Sequence, residues 1–169
     1  VELVVALGVT LVAWLAVPPA LRMLSDEANL IGTSKNLFTS HEATFTISGK
    51  HYYDSFWDVD VAIDQRPPLF PFLVSLVHAL AGYSYKNAFV LNLLLLPVFV
   101  LTAYRLAKSL AGETFAVVAA LFVVAHPITL LSVRSGGFDF LPLVFALLII
   151  KALLDHARAP TPARILGPV

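Results

Sequence analysis

Five long apolar segments constrain this chain more than any other feature. They cover residues 1–21, 69–82, 88–107, 115–133 and 138–154. The chain is 59% hydrophobic and 13% charged, whereas an ordinary soluble domain is about 45–50% apolar and about 25% charged. A soluble core of this size cannot bury so much apolar surface, so the sequence predicts an all-α fold of polytopic transmembrane helices.

Segment lengths suggest how the chain is organised. A spanning helix needs about 20 residues, so the segment at 69–82 is short and the other four are long enough or nearly so. We predict a first transmembrane helix (1–21), a long extracytoplasmic loop containing interfacial helices (22–66), a transmembrane and re-entrant helix bundle (67–158), and a loop leading into a further, truncated helix (159–169). Both ends of the chain are expected to be cut. Pro97 and Pro127 are expected to kink their helices.

Basic residues give a prediction of orientation. Arg105 and Lys108 follow the third segment and Arg158 follows the fifth, which predicts that both regions are cytoplasmic. Asp139 then lies on the extracytoplasmic side. In this arrangement the short second segment begins and ends on the same side and is re-entrant. The alternative is that it spans fully, which would place Asp139 on the cytoplasmic side.

Composition excludes several kinds of site. The chain has no cysteine, which excludes disulfides, zinc–thiolate sites and thiol catalysis. Its formal net charge is zero, so no basic excess points to nucleic acid. The loop 22–66 is rich in histidine and aspartate but lacks the spacing of a known metal motif. We therefore predict no metal ligands and leave the cofactor unknown, with a divalent cation as one alternative.

Two acidic positions flank the apolar segments on the predicted extracytoplasmic side. Asp26 and Glu27 follow the first segment, and Asp139 opens the fifth after a Ser-Gly-Gly turn. Either acid site could simply cap a helix, because carboxylates accept the free amides of a helix N-terminus. The functional interpretation is a carboxylate above the membrane that acts as a general base or binds a metal.

The stretch IDQRPPLFPF places a cation against an apolar segment. Pro67 and Pro68 fix the backbone just before the helix, where a missing N–H costs nothing. Arg66 then stands at a helix N-terminus, a good phosphate receptor, although a snorkelling side chain explains it equally. Upstream, Tyr52 and Tyr53 belong to the aromatic cluster HYYDSFW, which suits a membrane interface.

The order of these parts resembles the GT-C class of integral-membrane glycosyltransferases, of the protein O-mannosyltransferase and lipid A aminoarabinose transferase types. The resemblance implies that the chain is the N-terminal third or so of such an enzyme and is inactive alone. It implies that Asp26 and Asp139 are the catalytic acids. It further implies substrate-binding roles for the residues Glu27, Gln65, Arg66, Tyr52 and Tyr53. Gln65 stands where one relative has a glutamate, so that acid is missing here.

The resemblance also implies a reaction and its partners. The donor would be a polyprenyl-phosphate sugar, and the acceptor a hydroxyl on a glycan, lipid or protein. Transfer would invert the anomeric carbon on the extracytoplasmic side of a bacterial or archaeal plasma membrane. The alternative is a transporter or flippase for lipid-linked sugars, or a non-catalytic polytopic protein. Transporters tend to carry internal repeats and polar residues at mid-membrane, and the sequence shows neither.

Overall fold

The computed structural model describes residues 2–16, 25–53 and 55–158, apart from the side chains of residues 16, 25 and 26. The described part is mostly helical, which confirms the predicted all-α class, with one small β-hairpin. Its elements in chain order are α1 (Glu2–Ala16), α2 (Ser25–Thr39), β1 (Thr44–Tyr52), β2 (Ser55–Ile63), α3 (Leu69–Ala81), α4 (Asn87–Ala111), α5 (Glu113–Ala125), α6 (Pro127–Val133) and α7 (Phe140–Arg158).

Two helices of the described part, α4 and α7, are each long and apolar enough to cross a membrane. The pair α5 and α6 passes the same test together, with a bend of 62° between them. The bend falls at His126, whose backbone is extended, and Pro127 begins α6, so the kink predicted at Pro127 is confirmed. Pro97 lies inside α4, which continues to Ala111. Helices α1 and α3 are shorter apolar helices.

Helix α4 is the centre of the bundle, and α1, α5 and α7 pack around it. Small residues line these contacts, and they let helix backbones approach closely where lipid removes the hydrophobic driving force between helices. The buried alanines of this cluster are Ala6, Ala13, Ala107, Ala116 and Ala120. Between them, large side chains such as Leu96 and Phe140 are fully buried.

An ion network marks one end of the bundle, which we call the basic end. Nε of Arg105 lies 3.0 Å from a carboxylate oxygen of Glu2, and Nζ of Lys108 lies 2.6 Å from Glu113. The hydroxyl of Tyr104 donates to Glu113 as well. The start of α1, the end of α4 and the start of α5 therefore meet here, and α1 runs antiparallel to α4.

Helices α2 and α3 pack at the opposite end, beside the start of α4 and the start of α7. Their contacts form a second apolar cluster that includes Ile31 of α2, Phe70 and Val74 of α3, and Leu141 of α7. Helix α3 has 13 residues, about 20 Å at 1.5 Å per residue, which is short of a ~30 Å hydrocarbon core. Its length therefore agrees with the re-entrant interpretation.

A β-hairpin follows α2 and is paired in antiparallel register from Thr44 opposite Ile63 to Tyr52 opposite Ser55. The root of the hairpin packs on α2, where Cβ of Phe45 lies 3.4 Å from the position that a side chain on Gly32 would take. Nearer its turn, the ring of Phe56 covers Gly49 so closely that a Cβ there would lie 2.1 Å from the ring. The alternation ATFTI at residues 43–47 is typical of a strand and falls largely within β1, whereas β2 was not predicted.

Candidate active site

Glu27 and Asp139 approach each other around Gly137 although they are far apart in the chain. Glu27 is 2% exposed in the first turns of α2, and Asp139 is exposed directly before α7. A methyl group on Gly137 would lie 3.7 Å from Cγ of Glu27 and 3.8 Å from Oδ2 of Asp139. The structure therefore brings together two of the acids singled out in the sequence, and we call this end of the bundle the acid end.

Asp26 precedes Glu27 in the first turn of α2. Its side chain lies outside the described residues, so its predicted catalytic role stays a prediction. The helix itself begins at Ser25, at the SDEA sequence that suggested a helix start.

Asn92 holds the turn that carries Asp139. Its side chain is fully buried inside α4, and its Nδ2 donates to the backbone oxygens of Ser135 at 2.8 Å and Gly137 at 3.0 Å. Within the turn, Oγ of Ser135 accepts from the amide of Gly137 at 3.3 Å. Asn92 is therefore a positioning residue, and its only signal in the sequence is a polar side chain in an apolar segment.

A buried cluster of Ser34, His78 and Asn87 joins α2, α3 and α4. Nδ2 of Asn87 lies 2.7 Å from Nδ1 of His78, and Nε2 of His78 lies 3.2 Å from Oγ of Ser34. Since an amide nitrogen only donates, Nδ1 is the acceptor and Nε2 carries the proton. Oγ of Ser34 in turn donates to the carbonyl of Ile31 at 2.8 Å.

This hydrogen-bond chain suits a neutral imidazole, and it does not activate a nucleophile. The ring nitrogen that faces Ser34 is already protonated, so it cannot accept the hydroxyl proton. Burial lowers the pKa of His78 below its ordinary value, in agreement with the neutral form. Because Ser34 lies seven residues after Glu27, two helical turns on the same face, the cluster fixes the face of α2 that carries Glu27.

Arg66 stands directly before the Pro-Pro step that leads into α3, as predicted from the sequence. Its backbone amide donates to Oδ1 of Asp64 at 3.1 Å, and its guanidinium pairs with Oδ2 of Asp64 at 3.3 Å. The carbonyl of Pro68 accepts from the amide of Phe72 at 2.9 Å, which is the first turn of the helix. Asp64 therefore orients Arg66, and Gln65 is exposed between them.

Tyr52 and Tyr53 lie at the turn of the hairpin. Tyr53 is fully exposed, with a left-handed backbone (φ 53°), and Tyr52 is 56% exposed. Strands rise about 3.4 Å per residue, so this turn lies far along the hairpin from its root on α2. The structure thus places the two tyrosines on a separate projection, whereas Glu27 and Asp139 meet inside the bundle.

The same acids could take part in binding a metal ion. Within residues 2–16, 25–53 and 55–158, no three histidine, aspartate or glutamate side chains gather into a ligand group. Magnesium often uses only one or two protein carboxylates together with substrate phosphates and waters. Glu27 and Asp139 could supply such a pair.

Glu27 and Asp139 meet around Gly137, whereas Arg66 pairs with Asp64 of its own loop. The structure therefore brings the two acids together, and the place of Arg66 in the site stays a prediction. These residue types suit a reaction in which a proton is removed and an anion departs. A carboxylate can accept a proton from a hydroxyl, and an arginine can bind a phosphate with two parallel N–H donors. Asp139 is exposed, so it can be reached from outside the bundle.

Comparison with known proteins agrees with this chemistry. The sequence model of the dolichyl-phosphate-mannose-protein mannosyltransferase family matches residues 65–164, a stretch that includes Arg66, Asn92 and Asp139. No curated protein and no solved structure matches the chain. The match covers more than half of the chain, and the apolar helices agree with an integral membrane protein. The chain therefore belongs to the dolichyl-phosphate-mannose-protein mannosyltransferase family, a family of GT-C glycosyltransferases.

Proposed function

We propose that this chain carries a glycosyltransferase site on the extracytoplasmic face of the membrane. It moves a sugar from a polyprenyl-phosphate donor to a hydroxyl acceptor and inverts the anomeric carbon. The observation that carries this proposal is the meeting of Glu27 and Asp139 around Gly137. The two acids belong to elements more than 100 residues apart, and their convergence is what a shared reaction site requires.

The reaction is a direct displacement. The acceptor oxygen forms a bond to the anomeric carbon as the bond between that carbon and the phosphate oxygen breaks. Asp26 takes the acceptor proton, a contribution of roughly 10²–10⁴-fold for a positioned general base. The electron pair of the broken bond leaves with the polyprenyl phosphate.

Arg66 faces the charge that grows on the departing phosphate. Its guanidinium is braced by Asp64 at 3.3 Å, and an arginine carries five N–H donors, so it can hold Asp64 and still donate to a phosphate oxygen. Electrostatic stabilisation of this kind acts best in a site with little water. Gln65 stands beside it on the same loop.

Asp139 and Glu27 position the substrates. Asp139 is exposed, so it can accept hydrogen bonds from sugar hydroxyls or hold the acceptor. Glu27 is buried behind Gly137 and acts on the donor side. Tyr52 and Tyr53 would bind substrate only if the hairpin turn approaches the acid end during the reaction.

The test is transfer from a radiolabelled polyprenyl-phosphate mannose by membranes that contain the protein, with each variant compared at equal expression. We expect Asp26→Asn and Asp139→Asn each to lower transfer by at least 10²-fold. Asp60→Asn is the matched control, because Asp60 is an exposed acid on the hairpin. Near-normal transfer by Asp26→Asn would remove that residue from the mechanism.

A second arm separates the two neighbouring acids of α2. We expect Glu27→Gln to raise KM for the donor more than it lowers kcat, since it only binds, whereas Asp26→Asn lowers kcat. If Glu27→Gln instead abolishes kcat while Asp26→Asn is active, the base is Glu27.

A further inference from the structure

Two apolar clefts adjoin along α1, apart from the acid pair. The upper cleft, nearer the acid end, has a volume of about 170 Å³ and lies between α1, the start of α4 and α6; it is lined by Ala13, Trp14, Val90, Leu93, Leu130 and Val133. The lower cleft, nearer the basic end, has a volume of about 300 Å³ and lies between α1 and α5; it is lined by Gly8, Val9, Val12, Leu121 and Val124. Ala13 and Leu130 line both clefts, and the two together are here called the α1 groove.

Two cations stand at the upper mouth of the α1 groove. Lys86 and Arg134 both line the upper cleft, and Lys86 is also the residue before the N-terminus of α4, where the helix dipole adds partial positive charge. An arginine has five donors, so Arg134 can meet an added anion while keeping its contacts within the protein. The mouth therefore complements a group with negative charge.

Below the mouth, the α1 groove suits a hydrocarbon chain. Gly8 leaves open space, because a Cβ built there meets no atom within 4 Å. From Trp14 to Gly8 the groove extends about 9 Å along the helix, which stays within one leaflet of a ~30 Å hydrocarbon core. The outward side of α1 is apolar and exposed, for example 55% at Leu11 and 66% at Val12, so the groove opens toward lipid.

We propose that the α1 groove binds an anionic glycerophospholipid, with its phosphate at Lys86 and Arg134 and one acyl chain lying along α1 as far as Gly8. Apart from the two cations, the residues that line the groove have apolar side chains except for the indole of Trp14. A sugar needs side chains that accept its hydroxyl hydrogens, and these walls have none among the described lining residues. The headgroup is therefore recognised by its charge, and the surrounding leaflet supplies the lipid.

The experiment is native mass spectrometry of the purified protein in a mild detergent, titrated with phosphatidylglycerol or with phosphatidylcholine of the same acyl chains. We expect one phosphatidylglycerol to be retained in preference to phosphatidylcholine. Lys86→Gln and Arg134→Gln should each weaken that retention about fivefold, the effect of one basic residue near an anionic lipid surface. Gly8→Leu should displace the acyl chain and lower retention of both lipids.

Matched controls lie outside the groove. Lys50→Gln on the hairpin and Arg158→Gln at the end of α7 remove an exposed cation elsewhere, and Ala152→Leu places a leucine at an exposed position of α7. None of these should change retention. Lys86 is exposed, and its side chain makes no capping hydrogen bond to α4. Lys86→Gln therefore tests the charge without a risk to folding.

Three results would overturn the proposal. They are equal retention of the two phospholipids, unchanged retention in Gly8→Leu, and displacement of phosphatidylglycerol by an equimolar polyprenyl phosphate. The last would assign the groove to the carrier lipid. Because the groove variants are expected to keep sugar transfer, a failure here is distinguishable from a failure of the transferase proposal, which depends on Asp26 and Asp139.

Discussion

Replacement of Asn92 by leucine tests how the acid end is assembled. Leucine has a similar size but cannot donate, so Asn92→Leu removes the two hydrogen bonds to the carbonyls of Ser135 and Gly137 without opening a large cavity. Both carbonyls lie in buried residues, so water does not readily replace the lost donor. The turn that presents Asp139 is then held by its remaining contacts alone.

The expected loss in the free energy of unfolding follows from those two hydrogen bonds. In soluble proteins a hydrogen bond contributes a net stability of about 0.5–1.5 kcal/mol, whereas membrane helix bundles average about 0.6 kcal/mol. The two bonds at 2.8 and 3.0 Å are therefore worth about 1–3 kcal/mol. A loss of that size loosens the turn and leaves the helix bundle folded.

The assay is thermal unfolding of the purified protein, followed by sugar transfer at a temperature where the variant is folded. Thr102→Val is the control, because Thr102 lies on the same helix and its hydroxyl donates to the carbonyl of Val98, one turn earlier in α4. We expect Asn92→Leu to be the less stable variant and to lose more transfer activity. Equal stability of the two variants would show that the amide of Asn92 does not hold the turn.

Three further predictions concern the same end of the protein. Gly137→Ala should keep transfer, since a methyl group meets its neighbours at ordinary contact distances of 3.5–3.8 Å, whereas Gly137→Leu should abolish it by separating the two acids; equal activities would contradict this. The pKa of His78 is lowered in the folded protein, so the unfolded chain binds the proton more readily. The contribution of His78 to the free energy of unfolding should therefore be complete above pH ~6.5 and should decline as the pH falls below that value. Unfolding measured from pH 7.5 to 5.5 should show a smaller decline in His78→Gln. Phe70→Ala should cost about 3–5 kcal/mol of stability, because Phe70 is 2% exposed, whereas Phe72→Ala on the same helix, at 48% exposed, should cost far less.

The apolar pattern predicted most of the helices because each one reflects a local property of the sequence. The stretches at 88–107 and 138–154 became α4 and α7, and the Pro127 position of the bend follows from the missing amide hydrogen of proline. The second strand of the hairpin was missed, although residues 55–63 alternate between apolar and polar side chains over much of their length. The aromatic cluster HYYDSFW was interpreted as an interface feature, and it contains the hairpin turn.

The tertiary links of the site could not be predicted from the sequence. Nothing local shows that Asn92 donates to carbonyls more than 40 residues away, or that Glu27 approaches Gly137. One link did have a local signal. Asp64 lies two residues before Arg66, and an aspartate side chain typically accepts a hydrogen bond from the backbone amide two residues later. That spacing predicts the pairing of Asp64 with Arg66, and the sequence analysis overlooked it.

The placement of charge bears on the choice between a transferase and a transporter. In α4, α7 and the bent pair α5–α6, the charged side chains lie toward the helix ends. Arg105 and Lys108 are near the end of α4, and Glu113 is at the start of α5. Lys151 and Asp155 form a pair in the later part of α7. Transport requires polar groups near the midplane, whereas the charged side chains of these helices lie toward one end of the bundle or the other. The approach of Glu27 to Asp139 at the acid end favours chemistry on a lipid-linked sugar over its passage through the bilayer. If Asp26→Asn and Asp139→Asn left transfer intact but blocked movement of the lipid-linked sugar across vesicles, this argument from charge placement would be wrong.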